Sequence, residues 1–302
     1  MRSCDFATVN LTLTCGLTPK ERNLIAVVTG ASRGAGRGIA IALGAAGATV
    51  YVTGRSVAHG DSPYGGTIRE TADLVTSSGG RGVAVAVDHE DDAAVAALFE
   101  RVKAEHGHMD ILVNNAAKLV DAPAPGGFWE KPVDAADVIT VGLRSHFVAA
   151  YYAAPLLITN GHGLIVNTGY YGAVSYHYGP AYGAQKAGAD KMAADMAKEL
   201  RPFNVAAISI WMGPLDTERA RAYLAKLPED ARPRQRRESP QFTGRVIAAL
   251  YGSDERMRLS GRALIGAELG ARLGVTDIDG SVPLSYRYQM GGPPELHLSL
   301  VS

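Results

Sequence analysis

The chain has 302 residues, 47% of them hydrophobic, with 30 Lys plus Arg balancing 30 Asp plus Glu. That length and apolar content allow one domain with a large core, while the zero net charge argues against a broad nucleic-acid or acidic-membrane surface. The longest apolar candidate, residues 147–158, holds two tyrosines and Pro155, which argues against a bilayer-spanning helix, so a soluble, cytoplasmic protein is expected.

Residues 1–22 contain both cysteines, Cys4 and Cys15, which imply no disulfide framework. This opening stretch lacks a continuous apolar region and a convincing cleavage site, so it is not expected to be a signal peptide. It is expected to be a loosely ordered extension, since its Thr/Asn-rich sequence has no sustained period.

The first predicted strand, 25–28, is short and apolar, and 39–46 is rich in helix formers. Between them Thr29-Gly30-x-x-x-Gly34-x-Gly36 forms a glycine-rich turn. Such a turn brings backbone close to a phosphate, and the free N–H groups opening the helix face the anion. Gly30, Ser32, Arg33, Gly34, Ala35 and Gly36 are therefore candidate cofactor contacts. The same letters also spell Gly-x-Ser-x-Gly, the elbow that presents a nucleophilic serine in hydrolases, which would make Ser32 the nucleophile. An elbow normally follows several strands, and this one follows the first.

A second strand, 48–53, ends in Gly54-Arg55-Ser56. A fold that prefers NAD usually places an acidic residue here, whereas arginine suits the 2′-phosphate of NADP, so Arg55 with Arg33 points to NADP(H). Two solvated arginines are the alternative. Residues 56–66 are an aperiodic surface insertion before a helix over 67–77. The third strand, 83–87, leads to Asp88 and His89 at the sheet's carboxyl edge, where Asp88 either bonds the adenine amino group or caps the next helix.

After a helix over 93–106, a fourth strand ends in Asn114-Asn115-Ala116-Ala117. Its amides can fix neighbouring backbone, and its alanines let a cofactor pack closely. The Pro/Gly-rich stretch 118–134, with Phe128 and Trp129, forms either a loop near the site mouth or a hydrophobic plug. Helix is expected over most of 135–158, then a fifth strand over 164–168 and a Tyr/Gly-rich loop. Tyr182 and Lys186 open the next helix one turn apart, on one face. A lysine there is expected to lower the phenol pKa and create a proton donor and acceptor usable near neutral pH.

The sixth strand, 205–211, runs into Gly213 and Thr217. A charged lid is expected over 216–240, where Arg232, Arg234, Arg236 and Arg237 either attract an anion or form a solvated face. A helix over 243–251 and a final strand over 263–265 follow, then a tail from 276 to 302. The eight histidines have no metal-ligand spacing, so no metal site is inferred.

Taken together, the Thr29–Gly36 turn, Asn114-Asn115-Ala116-Ala117 and Tyr182-x-x-x-Lys186 resemble the short-chain dehydrogenase/reductases over about residues 23–275. Phe128-Trp129-Glu130, Val141-Gly142-Leu143-Arg144 and Asp277-Ile278-Asp279-Gly280 point to one subgroup of that family. The resemblance implies a single α/β domain, a Rossmann-type doubly wound parallel sheet of about seven strands with helices on both faces. It implies hydride transfer between nicotinamide and a carbonyl or alcohol. Tyr182 moves the substrate proton, Lys186 holds the nicotinamide ribose, Asn114 lines the cofactor pocket, and Thr217 approaches the carboxamide or phosphates. It also implies a homodimer or homotetramer formed through the long helices.

Two catalytic positions depart from the family. Its substrate-binding serine falls at Gly169 and its relay asparagine at Gly142, while Met212 replaces a usual proline. Losing one donor to a developing oxyanion typically costs about 2.7–4 kcal/mol, so Ser175, Tyr170, Tyr171 or Thr168 is expected to supply the hydroxyl. Ser175 is the first choice because it lies in the same loop. A cofactor-binding protein with little turnover is the alternative function. The aromatic residues Phe128, Trp129, Tyr170, Tyr171, Tyr176 and Tyr178 suggest a hydrophobic or aromatic substrate.

Overall fold

The computed structural model describes residues 24–118, 126–233 and 235–295. The expected extension at 1–22, both cysteines, part of the 118–134 loop, Arg234 and the last seven residues lie outside the described residues. Seven strands are present: β1 Ile25–Val28, β2 Thr49–Gly54, β3 Arg81–Ala86, β4 Ile111–Asn114, β5 Gly163–Gly169, β6 Val205–Trp211 and β7 Ala263–Ile265. They form one sheet in the order β3-β2-β1-β4-β5-β6-β7, and every pairing is parallel. This is the expected doubly wound α/β sheet. Its switch point lies between β1 and β4, where such sheets bind ligands beyond the strand ends.

Strand alternation divides the core. Ala26 and Val28 face one side with Ile39, Val75 and Phe242, whereas Ile25 and Val27 face the other with Leu98, Leu157 and Leu200. The first layer is covered by α1 Gly34–Ala45, α2 Ile68–Ser77 and, after two helices of the lid region, α8 Pro240–Tyr251. The second is covered by α3 Asp92–His106, α5 Ser145–Asn160 and α6 Pro180–Leu200. Helix ends follow their side chains: Thr67 and Glu70 form a capping box on α2, and Asp91 caps α3 through the Ala93 and Ala94 N–H groups. Asp88 therefore does not cap α3.

The helix expected over 135–158 is broken. A one-turn helix α4, Asp137–Ile139, runs into a π-helical turn at Thr140–Arg144 before α5 begins. The lid carries α7, Glu218–Ala225, and its two ends meet where Leu215 bridges Glu238. Beyond α9 Glu255–Leu259 and α10 Gly266–Arg272, the tail packs on the body: Tyr286 is buried just before α11 Arg287–Met290. Among the described residues no helix is long and apolar enough to cross a membrane.

Candidate active site

Tyr182 and Lys186 sit on the inner face of α6, both buried. The Lys186 ammonium donates to the Thr168 carbonyl at 2.9 Å and lies 5.7 Å from the centre of the Tyr182 ring. Burial lowers its pKa to about 8, opposed by Asp190 two turns from Tyr182 on the same helix. The expected depression of the Tyr182 phenol is absent. Burial raises its pKa well above the usual phenol range, and the neighbouring Tyr170 and Tyr178 raise it further.

Tyr182 forms part of the wall of a cavity of about 290 Å³ with Phe128, Val133, Val138, Tyr178 and Pro180. Tyr178 reaches it from a left-handed backbone, φ 55°, and meets the Tyr182 ring edge-on at 5.2 Å. Such a conformation is uncommon for a bulky residue and recurs at functional sites. The other aromatic residues divide. Trp129 and Tyr176 are 75% and 81% exposed, so Trp129 is no plug, while Tyr171 is fully buried and its hydroxyl accepts from the Tyr286 N–H.

At Gly169 the family serine has no room. A Cβ there would stand 2.4 Å from Trp211 Cδ1, across the β5–β6 pairing. The Trp211 indole is held by both oxygens of Asp190, whose pKa burial raises to about 6. Ser175 is not brought to Tyr182: its hydroxyl donates to the Tyr171 carbonyl at 2.9 Å. Thr168 donates to the Asn114 carbonyl, and Tyr171 is turned to the tail. Tyr170 is the remaining hydroxyl, packed on Tyr171 and His177, with its pKa pushed up by burial to about 12.

The glycine turn lies at the opposite side of the same sheet edge. Gly30 is fixed by packing, since a Cβ there would stand 2.7 Å from Ala116 Cα. Asn115 ties the turn to β4, donating to the Thr29 and Gly30 carbonyls, while Thr29 Oγ1 accepts from the Asn115 and Ala116 N–H groups. Gly34, φ 56°, faces Thr217, which caps α7 through the Ala220 N–H. Asn114 does not line a pocket: it is fully buried, and its amide donates to His146 O and Asn167 Oδ1. Among the described residues no histidine is hydrogen-bonded to Ser32, as a hydrolase elbow requires.

These residues fit a dinucleotide on one internal observation. The N–H of Gly34 at the start of α1 already binds an anion, Glu218 Oε2, at 3.0 Å. Arg33 beside it hydrogen-bonds neutral partners, Ser56 Oγ and the Gly65 and Gly66 carbonyls, while the nearby Glu218 and Asp61 carboxylates act on its charge. Arg55 instead faces Asp88 at 3.7 Å. His89 is buried against Thr53 Oγ1, and burial lowers its pKa to about 4. The Gly213 N–H donates to Glu238 Oε2 at 3.1 Å. Of the basic run, Arg236 pairs with Asp279 and Arg237 bonds the Leu215 carbonyl.

Sequence reasoning missed Gln185, Glu218, Glu238 and His146, each of which meets its partner across the fold. His146 alone carried a local signal, since it lies in an otherwise apolar helix. It is buried, with Nε2 against the Ala116 carbonyl and a pKa lowered by burial to about 3.

A family model described as short chain dehydrogenase matches residues 24–227. The chain is 40% identical over 280 residues to dehydrogenase/reductase SDR family member 1 of Mus musculus, covering 88% of this chain and 87% of that one. The Homo sapiens protein of the same name is 39% identical over 269 residues, covering 85% and 83%. This is the subgroup to which the Phe128, Gly142 and Asp277 motifs point. A doubly substituted Serratia marcescens short-chain dehydrogenase/reductase superposes with a TM-score of 0.65 at 28% identity, covering 80% of this chain and 95% of that one.

Proposed function

The chain belongs to the short-chain dehydrogenases, and from that membership we propose that it is an NADP(H)-dependent carbonyl reductase or alcohol dehydrogenase acting on apolar substrates. The observation that carries this reading is Tyr182, a buried phenol opening onto an apolar cavity, with the Lys186 ammonium one helical turn away. Bound NADP(H) supplies or accepts the hydride. The protein's own residues handle the proton.

Tyr182 gives its proton to the carbonyl oxygen in reduction and takes it back in oxidation. The phenol is protonated at neutral pH, as a proton donor must be, while burial makes it a weaker acid than a free tyrosine. As phenolate forms, the buried cation of Lys186 favours it, and its remaining hydrogens are available to the nicotinamide ribose. Tyr170 takes over the donor role lost at Gly169, because the other three hydroxyls are engaged elsewhere. NADP(H) preference is supported by Arg33, a cation fixed by hydrogen bonds to neutral groups, with Glu218 and Asp61 near enough to act on its charge. The cavity's apolar wall supports a hydrophobic ketone or aldehyde. A homodimer or homotetramer is supported by Phe147 and Tyr151, exposed one turn apart on α5.

A second reading, nucleotide binding with little turnover, is favoured by Trp211 filling the space of the missing serine. A ketone and aldehyde panel followed by NADPH absorbance, with NADH in parallel, separates the two. Carbonyl-dependent NADPH oxidation supports the reductase, whereas nucleotide binding without oxidation supports the second reading.

A further inference from the structure

The wall of the cavity is fastened to the helix that carries Tyr182. Residues Val133, Ala136 and Val138 line the cavity, and their segment continues into the π-helical turn Thr140–Arg144. Inside that turn the Gly142 carbonyl accepts a hydrogen bond from Gln185 Nε2 at 2.7 Å. Gln185 lies on α6 next to Lys186 and is 2% exposed. The two residues are matched in volume, since a Cβ on Gly142 would stand 2.9 Å from both Cδ and Nε2 of Gln185. One residue along, Leu143 packs so closely that a Cβ on Gly188 of α6 would stand 2.7 Å from its Cδ2.

We propose that Gln185 is a positioning residue, whose amide pins the turn at Gly142 to α6 and so fixes the substrate wall against Tyr182. The family's asparagine position is glycine here, and the carboxamide reaches the turn from the facing helix instead. A π turn is rare and recurs at functional sites; this one has a buried glycine whose carbonyl would lose its side-chain donor if the amide were removed. With the wall loosened, the substrate carbonyl drifts from the proton donor, and a shift of about 1 Å can cost about 10² in rate.

This inference rests on Tyr182 being the proton donor. Its test compares Gln185→Leu, Gly142→Asn and the double variant Gly142→Asn/Gln185→Ala, measuring kcat, KM, NADPH affinity by fluorescence, and Tm. Gln185→Leu keeps the volume but removes the donor, and is expected to lower kcat roughly tenfold or more with NADPH affinity within about twofold of wild type. Gly142→Asn alone is expected to lose activity by collision with Gln185. The double variant returns an amide to the turn with space to hold it, and is expected to recover kcat to within about threefold of wild type. A packing role alone would move Tm without that rescue. Gln185→Leu with unchanged kcat, or a double variant no better than the poorer single, overturns the inference while leaving Tyr182 in place. A wild type that binds nucleotide but turns over no carbonyl overturns both.

Discussion

Glu218 places Oε2 3.0 Å from the Gly34 nitrogen and Oε1 3.3 Å from Arg37 Nη1, at the start of the helix where a dinucleotide phosphate binds in Rossmann-type folds. An internal anion is therefore expected to compete with a bound nucleotide for this helix terminus. A charge at a helix N-terminus is worth about 0.3–1 kcal/mol, so Glu218→Gln is expected to tighten NADPH binding roughly two- to fivefold. Fluorescence titration measures it, and weaker binding would mean that Glu218 helps to hold the nucleotide.

The two arginines near the adenosine end are expected to behave unequally. Arg33 is held by neutral partners, whereas Arg55 is largely exposed and faces Asp88. A charged hydrogen bond is worth about 1.5–3 kcal/mol, so Arg33→Ala is expected to weaken NADPH binding about tenfold or more. NADH binding is expected to stay unchanged, and Arg55→Ala to have a smaller effect. Equal losses for both nucleotides would remove the 2′-phosphate assignment.

Restoring the family serine at position 169 is expected to fail. Its Cβ would meet Trp211, which is fully buried and held by Asp190. Overpacking of this kind costs about 1–3 kcal/mol, so Gly169→Ser is expected to unfold at a lower temperature without a gain in kcat. A faster Gly169→Ser enzyme would show that Trp211 yields and that Tyr170 does not replace the serine.

Glu238 closes the base of the lid, and burial raises its pKa to about 7. The folded chain thus binds this proton more tightly than the unfolded chain does. The associated stability is present below the ordinary glutamate range and is lost as pH rises towards 7. Glu238→Gln is expected to raise Tm relative to wild type at pH 8 more than at pH 5. A difference independent of pH would remove Glu238 from the linkage.

Much of the sheet was legible because buried parallel strands are short apolar runs between turns, as at 25–28, 111–114 and 205–211. Tyr182 and Lys186 were legible for the same kind of reason, a local spacing on one helix. Several of the failures involve partners distant in sequence. Nothing at Gly142 announces Gln185, 43 positions away, and a segment read as plain helix gave no sign of a π turn. Trp211 reaches Gly169 only through strand register. Asn114 has the composition of a pocket residue but spends its amide on Asn167 and His146. Lysine beside tyrosine suggested an acidic phenol, yet burial raises the Tyr182 pKa and the neighbouring Tyr170 and Tyr178 add to it.

The most direct test is the Tyr182→Phe variant, which removes one hydroxyl from the buried ring beside Lys186. General acid–base catalysis typically contributes about 10²–10⁴-fold, so carbonyl-dependent NADPH oxidation is expected to fall by that range while NADPH affinity and Tm stay close to wild type. Turnover persisting at the wild-type rate would contradict the assignment of Tyr182 as proton donor.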